Sequence, residues 1–171
     1  MLSQVVQDAL NAQINNELYS SYSYLAMAAF CEQQQFTGCA RWLRLQSQEE
    51  HGHAMRLYDF LIARGGRVVL DAIRAPKTTF PTIAAVFADA LEQEQAVSKQ
   101  IDNLYELTFN EKAFSALVEL EWFITEQVEE ERTAREIVYK MNMVKDDAAS
   151  MLDMDRELGT RSAGAKPSPQ P

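Results

Sequence analysis

Glycine and proline are scarce in this chain, and where they fall decides most of its architecture. Only Gly38 and Gly52 precede position 65, and neither residue type occurs between Thr82 and Leu158. Stretches that long without a backbone breaker imply long helices. Cysteine is scarcer still: Cys31 and Cys39 are too few for a disulfide framework, and their spacing matches no metal or redox motif. Buried free thiols are expected. No run approaches the roughly 20 apolar residues that a membrane-spanning helix needs. Between Met1 and Leu18 there is neither a basic nor an apolar signal region. The expectation is a soluble, cytoplasmic protein. Basic residues are outnumbered, 16 against 25 acidic ones, for a formal net charge of -9. That balance disfavours nucleic acid and membrane surfaces as partners and favours cations.

What is present fits one all-α domain. With 171 residues, 47% of them hydrophobic, the chain can bury a sizeable core without a disulfide or a structural metal. The concentrated break runs from Gly65 and Gly66 through Arg67, Val68, Val69 and Leu70 to Pro76 and Pro81. Softer boundaries lie near Gln33 to Gly38 and near Thr108 to Glu111, where Asn110 could cap the next helix. Four long helices result, with short links inside each half. About 16 extended residues at roughly 3.3 Å each can run the length of a bundle. The second and third helices are therefore expected to lie parallel, joined by a long crossover. Asp146 is a candidate cap for a short fifth helix ending near Gly159. The predicted domain spans 1–158, and the tail 159–171, through Lys166, Pro167, Pro169 and Pro171, reads as disordered.

Acids stand where a core should be. Alternating four- and three-residue steps along the first helix give Leu10, Ile14, Glu17, Ser21, Tyr24 and Ala28. The second helix gives Leu43, Gln46, Glu50, His53, Leu57 and Phe60, with a Glu-x-x-His pair facing inward. The third gives Phe87, Leu91, Glu94, Ser98, Ile101 and Tyr105. The fourth gives Leu120, Phe123, Gln127, Glu130, Ala134, Ile137 and Met141. One such glutamate is usually a misjudged register or a side chain reaching for water. Four on separate helices can meet at mid-bundle, where burial and mutual repulsion would force protons onto them unless cations compensate. Hard oxygen donors plus one imidazole suit iron or manganese, and Glu50 can bridge two ions.

Glu17, Tyr24, Glu50-His51-Gly52-His53, Glu94 and Glu126-Gln127-Val128-Glu129-Glu130, in this order and spacing, resemble the bacterial non-haem ferritins over about residues 3 to 158. The bundle of glutamates with a Glu-x-x-His helix is also a general pattern of ferritin-like di-iron proteins. The resemblance implies a ferritin-like four-helix bundle with a di-iron ferroxidase centre. Glu17, Glu50 and His53 would hold the first iron, and Glu50, Glu94 and Glu130 the second, with Gln127 beside the pair. A third iron would be served by Glu49, Glu126, Glu129 and Glu130. Tyr24 matches a tyrosine proposed to donate an electron in that family. The implied activity oxidises Fe(II) to Fe(III) with dioxygen or hydrogen peroxide and stores the ferric mineral inside a homo-oligomeric shell of twenty-four subunits.

Two departures narrow the resemblance. Bacterioferritins carry a second Glu-x-x-His on the fourth helix, where this chain has Gln127 and Glu130. Their haem-binding methionine is replaced by His51, so no haem is expected. Leu117 and Leu120 stand where animal ferritins line a three-fold channel with acids, so iron would come in by another route. Some assignments stay open. The run Glu129 to Glu131 could be a solvated helix face rather than part of a third site. Tyr24 could be core packing, and Trp42, Trp122 and the methionines are read as core or subunit interface. His51 is expected in solvent, and Gly52, costing roughly 1 kcal/mol in a helix, would be explained by a close helix approach. Rival functions are a rubrerythrin-like peroxidase, whose Cys-x-x-Cys pairs are missing, a DNA-protecting mini-ferritin, and a non-catalytic helical assembly protein.

Overall fold

Ser3, in extended conformation, accepts a hydrogen bond from the Val6 amide at 3.4 Å and opens α1 (Gln4–Gln33). In the computed structural model, which describes residues 2–164, α2 (Thr37–Ala63), α3 (Ile83–Asn110), α4 (Phe114–Val144) and α5 (Ala148–Gly159) follow, with no strand among those residues. The expectation of four long helices and a short fifth holds. No helix among the described residues is long and apolar enough to cross a membrane.

The two hairpin turns share one construction. Gln35 (φ 64°) and Lys112 (φ 55°) adopt the left-handed conformation, and the next amide reaches back around the last helical turn, Phe36 N to Cys31 O at 2.9 Å and Ala113 N to Thr108 O at 2.8 Å. This corrects the expected role of Asn110. Helix α3 runs through that residue, and its end is satisfied by backbone bonds rather than by a capping side chain. The cap of α5 is likewise one residue later than expected: Asp147, not Asp146, accepts from the Ser150 amide at 3.0 Å.

Two hydrophobic clusters reveal the topology. One gathers Val6 and Leu10 of α1, Leu57 and Leu61 of α2, Leu104 of α3 and Leu120 of α4. The other gathers Ala28 and Cys31, Cys39 and Leu43, Val86 and Phe87, Ile137 and Met141, together with Met151, Met154 and Leu158 of α5. The start of α1 therefore lies with the end of α2, the end of α3 and the start of α4. Helices α2 and α3 run parallel, and the chain from Arg64 to Thr82 returns along the bundle to make this possible. It lies on α1: Asn11 accepts from the Val69 amide at 2.8 Å and donates to the Arg67 carbonyl at 2.9 Å. Farther on, the Arg74 guanidinium sits 4.0 Å over the Tyr19 ring.

Helix α5 folds back on α2. A Cβ at Gly38 would fall 1.8 Å from the Asp155 carbonyl oxygen, so only glycine permits this approach. Asp155 also accepts from the Cys39 amide at 2.8 Å. Gly159 closes α5 and Arg161 packs against α2. Positions 165–171 of the expected tail, including Lys166, Pro167, Pro169 and Pro171, lie outside the described residues.

Gly52 corrects another expectation. No atom lies within 4 Å of a Cβ built there, so no close helix approach explains it. Gly52→Ala should therefore stabilise the protein by about 0.5–1 kcal/mol through helix propensity alone. A thermal midpoint unchanged or lowered by the substitution would refute that.

Candidate metal centre

Between the two hydrophobic clusters lies a layer of acids. Glu17 projects from α1, Glu50 and His53 from α2, Glu94 from α3, and Glu130 with Gln127 from α4. All are buried, with His53 6% and Glu130 9% exposed. The layer exists because each helix has an acid where its apolar stripe crosses mid-bundle. Several stripe neighbours are only half-buried, among them Ser21, Phe60, Leu91, Ser98 and Tyr105.

Ligand atoms of Glu17, Glu50 and His53 lie within 4.8 Å of one another, and so do those of His53, Glu126 and Glu130. His53 thus belongs to both groups, with Nδ1 3.2 Å from Glu50 Oε2. Three amides and one phenol attend the carboxylates. Gln13 donates to Glu17 at 2.8 Å. Gln46 donates to Glu50 at 3.1 Å and to Glu130 at 2.8 Å. Gln127 donates to the Glu94 carboxylate at 3.2 Å, and the Tyr24 hydroxyl donates to its other oxygen. Glu17 Oε2 is buried with no donor among the described residues.

These neutral donors do not balance the charge. No lysine or arginine pairs with Glu17, Glu50, Glu94 or Glu130 among the described residues. Burial is the main cause, and neighbouring carboxylates the next, that push all four well above the ordinary value of 4.5, to about 8. For Glu17 and Glu94 that neighbour is Glu50, for Glu50 it is Glu130, and for Glu130 it is Glu94. Burial, then the Glu94 charge, holds the Tyr24 phenol well above its usual range. Buried carboxylates without basic partners are stabilised by cations, and Glu17 Oε2 has no hydrogen-bond donor among the described residues.

Aromatic rings wall the imidazole. His53 meets Trp122 edge-on at 5.4 Å between centroids and Phe123 at 6.0 Å. Arg56 covers the outer face of Trp122 at 4.1 Å and pairs with Glu119. His53, Arg56 and Trp122 also line a cavity of about 940 Å³, together with Glu49, Glu126, Glu129, Glu130 and Arg161. Glu49 is paired with Arg161 at 2.6 Å and Glu129 with Arg132. His51 is exposed, as expected. Leu117 and Leu120 are buried, 8% and 0% exposed, and neither supplies an acid.

Sequence reasoning did not assign Gln13, Gln46, Trp122 or Arg161 to the site. The first two were within reach, since each lies four residues before a buried glutamate and shares its helix face. Trp122 looked like any core aromatic, and nothing local marks Arg161.

A family model described as "Ferritin-like domain" matches residues 7–144. The chain belongs to the ferritin family. Among ferritin relatives, proteins named bacterial non-heme ferritin from Staphylococcus epidermidis and Staphylococcus saprophyticus are each 38% identical over 162 residues. The alignments cover 95% of this chain and 98% and 97% of theirs. Among solved structures, an open pore ferritin from the hyperthermophilic archaeon Archaeoglobus fulgidus superposes with a TM-score of 0.93 at 40% identity. It covers 95% of this chain and 99% of that one. A closed form of the Archaeoglobus fulgidus ferritin, made by site-directed mutagenesis, gives the same TM-score at 41% identity over the same shares. The buried acid layer therefore lies in a ferritin bundle matched over nearly its whole length.

Proposed function

We propose that this ferritin stores iron and oxidises Fe(II) to Fe(III) at the mid-bundle acid layer. The observation that carries the reading is electrostatic: among the described residues four buried carboxylates have no lysine or arginine partner, and two divalent cations would neutralise them in full. Glu17, Glu50 and His53 would hold the first Fe(II), and Glu50, Glu94 and Glu130 the second, with Glu50 shared. His53 binds as neutral imidazole, its ring held by the Trp122 and Phe123 edges. Gln46 aims Glu50 and Glu130 at a common point, and Gln127 with Tyr24 does the same for Glu94. Protons held on the carboxylates leave as the ions arrive.

Iron is the substrate. Two Fe(II) ions supply two electrons, which with two protons take dioxygen to hydrogen peroxide, or hydrogen peroxide to two waters. The Tyr24 hydroxyl donates to Glu94, and this contact with a proposed iron ligand supports its reading as donor of a further electron to the centre. Glu49, Glu126, Glu129 and Glu130 would receive a third iron on the cavity side. The ferric product would mineralise inside a homo-oligomeric shell, with twenty-four subunits as the family resemblance implies. Val118, Phe114, Phe109, Tyr139 and Met143 are all well exposed on the single subunit, as residues buried between copies would be.

Aerobic Fe(II) added to the purified protein tests this. Oxidation should far outpace that in buffer, and the ferric iron should co-elute with the protein. Oxidation at the buffer rate, with iron precipitating apart from the protein, would overturn the proposal.

A further inference from the structure

Arg161 follows α5 by two residues, yet its guanidinium reaches the edge of the acid layer. Nη2 donates to Glu49 Oε2 at 2.6 Å and Nη1 to Gln46 Oε1 at 2.9 Å, while Cζ sits 4.6 Å over the Trp42 ring. The side chain is only 13% exposed. A guanidinium can only donate, so the bond to Gln46 fixes which way that amide faces: oxygen toward Arg161, NH2 toward Glu50 and Glu130. Arg161 is thus one hydrogen bond removed from two of the inner carboxylates. It also covers an acid that an ion in the cavity would need.

Resting on the outer cation site read above, we propose that Arg161 is a tethered cation that holds Glu49 until a metal ion displaces it. Filling of the outer site is thereby coupled to release of the C-terminal segment. The guanidinium and an ion on Glu49 compete for the same oxygens. By linkage, whatever weakens the Arg161 contact strengthens outer binding, and an ion bound there weakens the docking of α5 by the same factor. The two inner positions lack this competitor. They fill first, and the outer one fills only at higher metal concentration. Arg161 acts here as a positioning residue, through Glu49 and Gln46, and takes no part in electron transfer.

Zn(II), which does not change oxidation state, separates binding from chemistry. Calorimetric titration of the assembled, metal-stripped protein should find two tight ions per subunit and a weaker third. Arg161→Ala should tighten the third by about tenfold or more, the scale of a partly buried charge pair. Its effect on the first two, which it reaches only through Gln46, should be smaller than its effect on the third. Arg161→Lys, which keeps the charge and loses the fork, should fall between. In a Glu49→Gln background the Arg161→Ala effect should vanish. A second measurement needs no variant: amide hydrogen exchange across residues 148–164 should accelerate in the unaltered protein as the third equivalent binds. A third site equally tight or weaker in Arg161→Ala, or exchange indifferent to the third ion, would overturn the coupling while leaving the inner centre intact. Failure of the first two ions to bind would instead overturn the reading of the centre, and the coupling with it.

Discussion

Stripped of metal with a chelator, the protein should lose thermal stability as the pH is raised from about 5.5 to 9. Glu17, Glu50, Glu94 and Glu130 are each raised from 4.5 to about 8 in the folded chain. A folded-state value above the unfolded one means that the native state holds protons the unfolded state has released. The associated stability is fully present below 4.5 and is lost as the pH climbs through 8. One carboxyl so displaced is linked to several kcal/mol at most. The four share one electrostatic environment, so their total falls well short of four times that. A net loss of about 3 kcal/mol would lower the melting midpoint by roughly 10 °C in a subunit of this size. Divalent metal should reverse the trend, because the ions bind the deprotonated form. Each site adds about 2.7 kcal/mol at a hundredfold excess over its dissociation constant, and the increment should grow with pH. A stripped protein equally stable at pH 6 and pH 9, at one protein concentration, would show that the acids are not held together in a dry layer.

The same electrostatics explains why the centre was visible in the sequence before any coordinates. Helices α1 to α4 carry few breakers, so their stripes could be followed in four- and three-residue steps. Glu17, Glu50, Glu94 and Glu130 then stood out as polar interruptions at one level. The parallel course of α2 and α3 followed from the length of the Gly65 to Pro81 connector against the short links inside each half. What escaped depends on contacts between distant parts of the chain. Arg161 reaches Glu49 only because Gly38 and Gly159 let α5 lie down on α2. Helix ends escaped for a different reason. Asn110 resembles a capping residue, but a left-handed Lys112 closes α3 with backbone bonds that no side-chain pattern announces.

Glu50→Gln should move function and stability in opposite directions. The substitution keeps the shape and the capacity to accept from Gln46, but it removes the charge that both proposed ions would share. Lesser perturbations around metal ligands cost 10- to 100-fold in affinity or activity, so removing the shared ligand should slow Fe(II) oxidation by at least about 100-fold. In the metal-stripped protein the neutral amide removes the charge that raises Glu17 and Glu94 most after burial itself. At pH 6, where Glu50 carries its own proton, variant and parent should melt alike. Above pH 8 the variant should be the more stable by about 1–3 kcal/mol, the scale of a raised carboxyl pKa relaxing by about one to two. The crossover is the informative part. A residue retained for packing would lose stability at every pH when altered, and a surface carboxylate would change neither measurement. Only a buried acid kept at a cost to the metal-free fold, for the sake of the cations it binds, predicts slower oxidation together with a melting advantage confined to alkaline pH.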